Sequence, residues 1–109
     1  MITWTDFEKI EMRVGTILEV VDFLNAKKPS YQLSIDFGEY GIKRSSAQIT
    51  TLYKKEELPG RQVIAVVNFP PKQIANFFSE CLVLGVYNEN NDVVLLQTSL
   101  PVQNGGKIG

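Results

Sequence analysis

Two kinds of hydrophobic pattern predict the strands of this chain. In the segment 31–37 every second residue is large and apolar, which indicates a strand with one buried face. The segment 62–68 is a continuous apolar run, typical of a strand covered on both faces. Further strands are predicted over 13–21, 43–50, 80–87 and 93–96.

Two short helices are predicted between these strands. Thr3 or Thr5 can cap the first, which would place Trp4, Phe7 and Ile10 on one face. The second is predicted over 52–58, where a Pro-Gly pair follows. The segment 72–79 follows two prolines and is predicted to be a loop, as is the tail from residue 102.

The order of these elements indicates a mainly β protein with an OB-fold. A long first strand carries Gly15 near its start, which predicts a bulge or a close backbone approach. A helix then separates the third and fourth strands, as in a five-stranded OB barrel, and the last strands add a C-terminal hairpin arm. A small SH3-like barrel would give similar runs. No linker divides the chain, so residues 1–109 are predicted to form one domain.

Composition narrows the possible chemistry. The chain of 109 residues has a net charge of −1, so nucleic-acid binding would require a local basic patch. It has no histidine and one cysteine, Cys81, which excludes His-based catalysis, an intrachain disulfide and the common zinc sites. We therefore expect no enzymatic activity, no metal and no cofactor. The single cysteine and the absence of a long apolar run predict a cytoplasmic protein without membrane insertion.

The stretch 43–50 is unlike a core strand. Lys43 and Arg44 are followed by two serines, an alanine and Gln48, a combination that suits a phosphodiester backbone and nearby base edges. We expect Lys43, Arg44, Ser46 and Gln48 to share the ligand face of the barrel, beside the loop that begins at Lys72. The alternative is an exposed edge strand that its two cations keep soluble.

Several segments, taken together, resemble the stand-alone tRNA-binding domain proteins, most closely the CsaA group of secretion-related chaperones. The segments that carry the resemblance are 13–17, 35–38, 43–50, 58–63, 66–74 and 79–85. The resemblance spans nearly the whole chain. It implies an OB-fold, a homodimer built partly from the terminal segments, tRNA binding and peptide-binding chaperone activity.

The resemblance also implies which residues contact RNA. They are Lys43, Arg44, Ser46, Gln48, Asn68, Lys72, Gln73 and Ser79. Strongly basic relatives carry cationic tails, whereas this chain is near neutral and ends in Gly-rich sequence. A twofold dimer would compensate for weak binding by a single subunit, because it places two modest basic patches on one RNA.

Aromatic residues suggest two further surfaces, although the sequence does not show which of them are exposed. Phe69, Phe77 and Phe78 are candidates for binding unfolded or precursor polypeptides, because large apolar patches usually mark partner sites. Trp4 and Phe7, together with Ile10, are candidates for the dimer interface. The alternative for the N-terminal helix is that it caps its own barrel.

Overall fold

The computed structural model describes all 109 residues and contains one α-helix and nine β-strands. In chain order the elements are α1 (Trp4–Glu8), β1 (Met12–Asp22), β2 (Tyr31–Asp36), β3 (Ile42–Ala47), β4 (Gln62–Val66), β5 (Lys72–Ile74), β6 (Phe77–Ser79), β7 (Leu82–Val83), β8 (Gly85–Tyr87) and β9 (Val93–Leu95). Short 3-10 turns lie at Gly38–Tyr40 and Lys55–Glu57. Neither α1 nor these turns has the length and apolar character needed to cross a membrane.

Five antiparallel strands form the barrel sheet, in the order β3-β2-β1-β4-β7. The long strand β1 pairs with two neighbours: its first half pairs with β4 and its second half with β2. Its register with β2 shifts between Ile17 and Glu19, which is where the strand bends around the barrel. The close approach predicted at Gly15 is present, since a Cβ there would lie 2.6 Å from Ile35 Cγ2.

The core fills the inside of this sheet. Leu33 and Ile35 on β2 are buried and alternate with half-exposed polar residues, as the sequence pattern predicts. Phe37 and Val63 are completely buried beside them. Full burial of each such side chain contributes roughly 1.5–3 kcal/mol to folding, so the apolar alternation is what holds the barrel register.

The barrel closes between β3 and the turn before β7, through contacts that we call the seam: Arg44, Ser45, Glu80 and Cys81. The Glu80 amide donates to the Arg44 carbonyl at 2.7 Å. The buried Ser45 hydroxyl donates to the Cys81 carbonyl at 3.0 Å. The Glu80 carboxylate accepts from the Arg44 amide at 2.9 Å. A nearly closed, five-stranded OB-fold barrel with a separate β8–β9 hairpin arm confirms the predicted architecture.

Three local predictions are wrong. The segment 72–79 is not a loop but the hairpin β5–β6, whose three-residue strands are too short to show a period in the sequence. The predicted strand 80–87 is divided, because β7 joins the barrel while β8 leaves it to pair with β9. The predicted helix 52–58 is reduced to a 3-10 turn, followed by the fully buried Leu58.

The C-terminal tail forms no strand, but it is fixed against β1. The Gly105 amide donates to the Val14 carbonyl at 2.8 Å, and the Ile108 amide donates to the Met12 carbonyl at 3.0 Å. Arg13 secures the same segment, because its guanidinium donates to the Gly105 carbonyl at 2.9 Å. The tail therefore covers the edge of β1 opposite β4, at the start of the strand, where β2 does not pair.

Candidate nucleic-acid interface

The two faces of β3 carry different side chains. Lys43 is paired with Ile35 and Ser45 with Leu33, so both share the face of the buried β2 residues. Arg44 is paired with Ser34 and lies on the opposite, outer face. The expectation that Lys43 shares a face with Arg44 is therefore wrong, because side chains alternate along a strand.

A groove of about 600 Å³ runs along the outer face beyond Arg44. The β1–β2 loop forms one wall and the β5–β6 hairpin the other. Its lining residues, which define the groove, are Asn25, Ala26, Lys27, Lys28, Ser30, Ser46, Gln48, Lys72, Gln73, Ile74 and Ala75. The structure thus brings together four of the predicted RNA ligands, namely Ser46, Gln48, Lys72 and Gln73.

Three cations of the groove have no acidic partner. Lys27, Lys28 and Lys72 are exposed, while the ion pairs of the protein involve other cations. Lys27 and Lys28 were not among the predicted ligands. The signal that could have identified them is their position in the first inter-strand loop, which borders the ligand face of an OB barrel.

Arg44 occupies a distinct position beside the groove. Its Cζ lies 4.3 Å from the centroid of the Phe77 ring, and its guanidinium makes no hydrogen bond or ion pair. Phe77 is only 1% exposed and packs against Phe23, with 5.3 Å between ring centroids. Its candidacy as a polypeptide contact is therefore wrong, because it has no free surface. Phe78, on the other face of β6, is 53% exposed.

The other two predicted RNA ligands use their side chains within the protein. Asn68 Oδ1 accepts from the Glu11 amide at 3.0 Å, and its Nδ2 donates to the Lys9 carbonyl at 2.7 Å. Asn68 therefore fastens the segment after α1 to the end of β4 and does not line the groove. The Ser79 hydroxyl donates to the Cys81 carbonyl at 3.2 Å and is thus engaged at the edge of the seam.

An apolar cavity of about 520 Å³ adjoins the groove. Phe69, two prolines and Leu82 line it, together with Lys72 and Ser79. Phe69 and Leu82 are each about half exposed. The cavity therefore offers an apolar surface that shares Lys72 with the basic groove.

A second apolar surface lies around α1. The helix begins as predicted, since the Thr3 hydroxyl accepts from the Asp6 amide at 3.1 Å and the Asp6 carboxylate accepts in return. None of its residues is buried, and Trp4 is 85% exposed. Ile10, just beyond the helix, is also exposed, whereas Phe7 is half-buried. The alternative that α1 caps its own barrel is therefore wrong.

Cys81 is unsuited to nucleophilic chemistry. Burial raises the pKa of its thiol to about 11, which outweighs the lowering by the Ser45 hydrogen bond and the Lys43 charge. A neutral thiol is a poor nucleophile. No group of three or more His, Cys, Asp or Glu residues is placed to hold a metal ion.

Comparison with known proteins gives a consistent result. Residues 12–107 match the family described as "Putative tRNA binding domain". The methionine–tRNA ligase of Nanoarchaeum equitans is 34% identical over 99% of this chain, and that of Bdellovibrio bacteriovorus is 32% identical over 98%. The chain spans only 14% and 15% of the length of these two ligases.

The crystal structures of two CsaA chaperones are among those that resemble the chain over its full length. The CsaA chaperone from Bacillus anthracis is 50% identical, with a TM-score of 0.95, and the alignment covers 100% of this chain and 99% of that one. The CsaA chaperone from Picrophilus torridus is 56% identical, with a TM-score of 0.94 and complete coverage of both chains.

Proposed function

The chain belongs to the tRNA-binding domain family, and from this premise we propose that it binds tRNA or a similarly structured RNA in the groove. The observation that carries the proposal is the set of three unpaired lysines, Lys27, Lys28 and Lys72, around one concave surface. Phosphate neutralisation by such cations supplies most of the affinity of a nucleic-acid interface. The protein as a whole has a net charge of −1, so the patch is local.

The polar floor of the groove supports a second kind of contact. Ser46 projects from the outer face of β3, Gln48 follows the strand, and Gln73 lies on the opposite wall. Hydroxyl and amide groups both donate and accept, which suits base edges and ribose hydroxyls. These residues would orient an RNA that the lysines attract. No step of this binding requires a reaction, and we propose that the domain is not an enzyme.

We also propose that two copies associate through the surface around α1. Trp4, Phe7 and Ile2 line an open apolar cavity of about 650 Å³ with the C-terminal Gly109. Apolar aromatic surfaces of this kind are typical of interface cores. A dimer would present two grooves to one RNA and raise the apparent affinity through effective concentration. The cytoplasm, where tRNA resides, is the location that this function implies.

Titration of fluorescent tRNA at several salt concentrations, read as anisotropy, tests the proposal. In the double variant Lys27→Ala, Lys72→Ala, the slope of log affinity against log salt should fall by about 1.5, since each phosphate contact contributes roughly 0.7–0.9. The matched control is Lys54→Ala, Lys107→Ala, which removes two exposed cations outside the groove. Equal effects of the two double variants, or no binding by the wild type, would refute the proposal.

The apolar cavity beside the groove supports a second candidate function, the binding of unfolded or precursor polypeptides. Phe69 is 54% exposed and lines this cavity, whereas Phe78 is equally exposed but does not. We expect Phe69→Ser to reduce suppression of the aggregation of a model polypeptide, while Phe78→Ser has little effect. Because the cavity and the groove share Lys72, tRNA should compete with the polypeptide. If Phe69→Ser suppressed aggregation as fully as the wild type, the apolar cavity would not be the polypeptide site.

A further inference from the structure

Three side chains pack one on another beside the groove and form what we call the column, in which the Phe23 and Phe77 rings are tilted by 56° to each other. Phe23 packs on Phe77, and Phe77 is covered in turn by the Arg44 guanidinium, whose Cζ lies 4.3 Å from the ring centroid. Phe77 is buried while Arg44 is exposed, so Arg44 is the outermost layer of the column. The guanidinium has no acidic partner and donates no hydrogen bond within the protein. Its inner side is occupied and its outer side is free.

The column supplies a flat surface for stacking, which the lining of the groove lacks. None of the 11 residues that line the groove is aromatic. Recognition of single-stranded RNA nevertheless depends on flat surfaces on which unpaired bases stack, and Arg guanidinium planes serve this purpose as well as aromatic rings do. Arg44 precedes Ser46 by two residues on the same face of β3, so the two side chains are about 7 Å apart along the strand. That spacing places a stacking surface beside hydrogen-bonding groups.

We propose that Arg44, held by Phe77, is a stacking platform for one unpaired nucleobase of the bound RNA. The proposal rests on the function proposed above and specifies it: the ligand must expose an unstacked base near the phosphates that the lysines contact. Lysine could supply the charge of Arg44 but not its planar surface. The planar group, and not the charge alone, is therefore what this position contributes.

The test compares two RNAs and two conservative substitutions. The RNAs are a stem–loop with 2-aminopurine placed in turn at each loop position, and a blunt duplex of the same stem sequence. Arg44→Lys retains the charge and removes the planar group. Arg61→Lys is the matched control, because Arg61 also lies over an aromatic ring, that of Tyr53 at 5.2 Å, but outside the groove.

We expect Arg44→Lys to weaken binding of the stem–loop roughly fivefold or more, as loss of one stacked base does. The affinity of Arg44→Lys for the duplex, and the slope of its log affinity against log salt, should equal those of the wild type. Binding of the wild type should change the 2-aminopurine emission at one loop position, and Arg44→Lys should abolish that change. Arg61→Lys should behave as the wild type in every measurement.

Three results would overturn the platform while leaving tRNA binding intact. The first is unchanged affinity of Arg44→Lys for the stem–loop. The second is an equal loss of affinity for both RNAs, which would make Arg44 a phosphate contact. The third is an emission change that persists in Arg44→Lys but disappears in Tyr87→Leu, since Tyr87 is an exposed aromatic in a neighbouring cavity that shares Ser46 and Gln48 with the groove. Failure of the wild type to bind any RNA would instead refute the proposed function itself, and the platform with it.

Discussion

The seam and the groove use the same strand for opposite purposes. In the seam, Ser45 is 1% exposed and its hydroxyl is hydrogen-bonded, and no buried side-chain polar atom of the protein lacks a partner. In the groove, Ser46 and Gln48 make no side-chain hydrogen bond within the protein. A short polar strand therefore stabilises the barrel with one face and leaves the donors of its other face free for a ligand. Substitutions should separate the two roles.

The largest expected effect concerns the seam at alkaline pH. Burial raises the pKa of the Cys81 thiol from 9.0 to about 11. Above pH 9.0 the unfolded chain loses this proton while the folded protein keeps it, so the unfolded state binds fewer protons and stability falls as pH rises. A difference of about two pKa units corresponds to roughly 3 kcal/mol, lost progressively between pH 9.0 and about 11.

Urea unfolding of the wild type and of Cys81→Ala, measured across this pH range, checks the prediction. Other groups also titrate there, but they are common to both proteins, so the difference between the two curves isolates the thiol. The stability advantage of the wild type over Cys81→Ala should shrink as pH rises. A constant difference would mean that the thiol ionises as readily in the folded protein as in the unfolded chain.

The second prediction concerns the two hydroxyls that meet at the Cys81 carbonyl. Ser45 and Ser79 donate to it at 3.0 and 3.2 Å. Ser45→Ala alone should cost about 1 kcal/mol, and the double variant with Ser79→Ala about 2 kcal/mol, because the carbonyl then loses both side-chain donors. Urea unfolding measures both, and tRNA affinity should be unchanged below the unfolding transition. Weaker tRNA binding by Ser79→Ala at unaltered stability would move Ser79 from the seam to the groove.

The contrast between the seam and the groove also shows how much of the structure the sequence could predict. Alternation on β2 and the apolar run of β4 specify buried faces, so these strands follow from the hydrophobic pattern, and the order of elements along the chain indicates the OB barrel. Alternation along a strand already places Lys43 and Arg44 on opposite faces, so the expectation that they share one misapplied the sequence pattern. Which of the two residues faces outward depends on the pairing with β2, which the sequence does not reveal. The groove wall formed by β5–β6 was equally hidden, because strands of three residues give no period.

The third prediction concerns the groove alone. Removing the donors of Ser46 and Gln48 together, as Ser46→Ala, Gln48→Ala, should weaken tRNA binding at least about fivefold, since each hydrogen bond contributes roughly 0.5–1.5 kcal/mol net. Neither side chain is bonded within the protein, so the urea midpoint should stay within the range of ordinary surface substitutions. Anisotropy and urea unfolding on the same preparations check both statements. A loss of stability without a loss of affinity would show that Ser46 and Gln48 serve folding and not ligand binding.

The smallest expected effect is at Lys43, the cation that shares the face of the seam. Its charge is close enough to Cys81 to influence the thiol, and it does not line the groove. Lys43→Ala should therefore leave the salt slope of tRNA binding unchanged, whereas Lys72→Ala should lower it by roughly 0.7–0.9, the amount for one phosphate contact. Both variants remove one lysine from a protein of net charge −1, so any effect of overall charge is the same in each. An equal fall of the slope in both variants would show that RNA reaches around the edge of β3 to Lys43, and an unchanged slope in both would show that Lys72 contacts no phosphate.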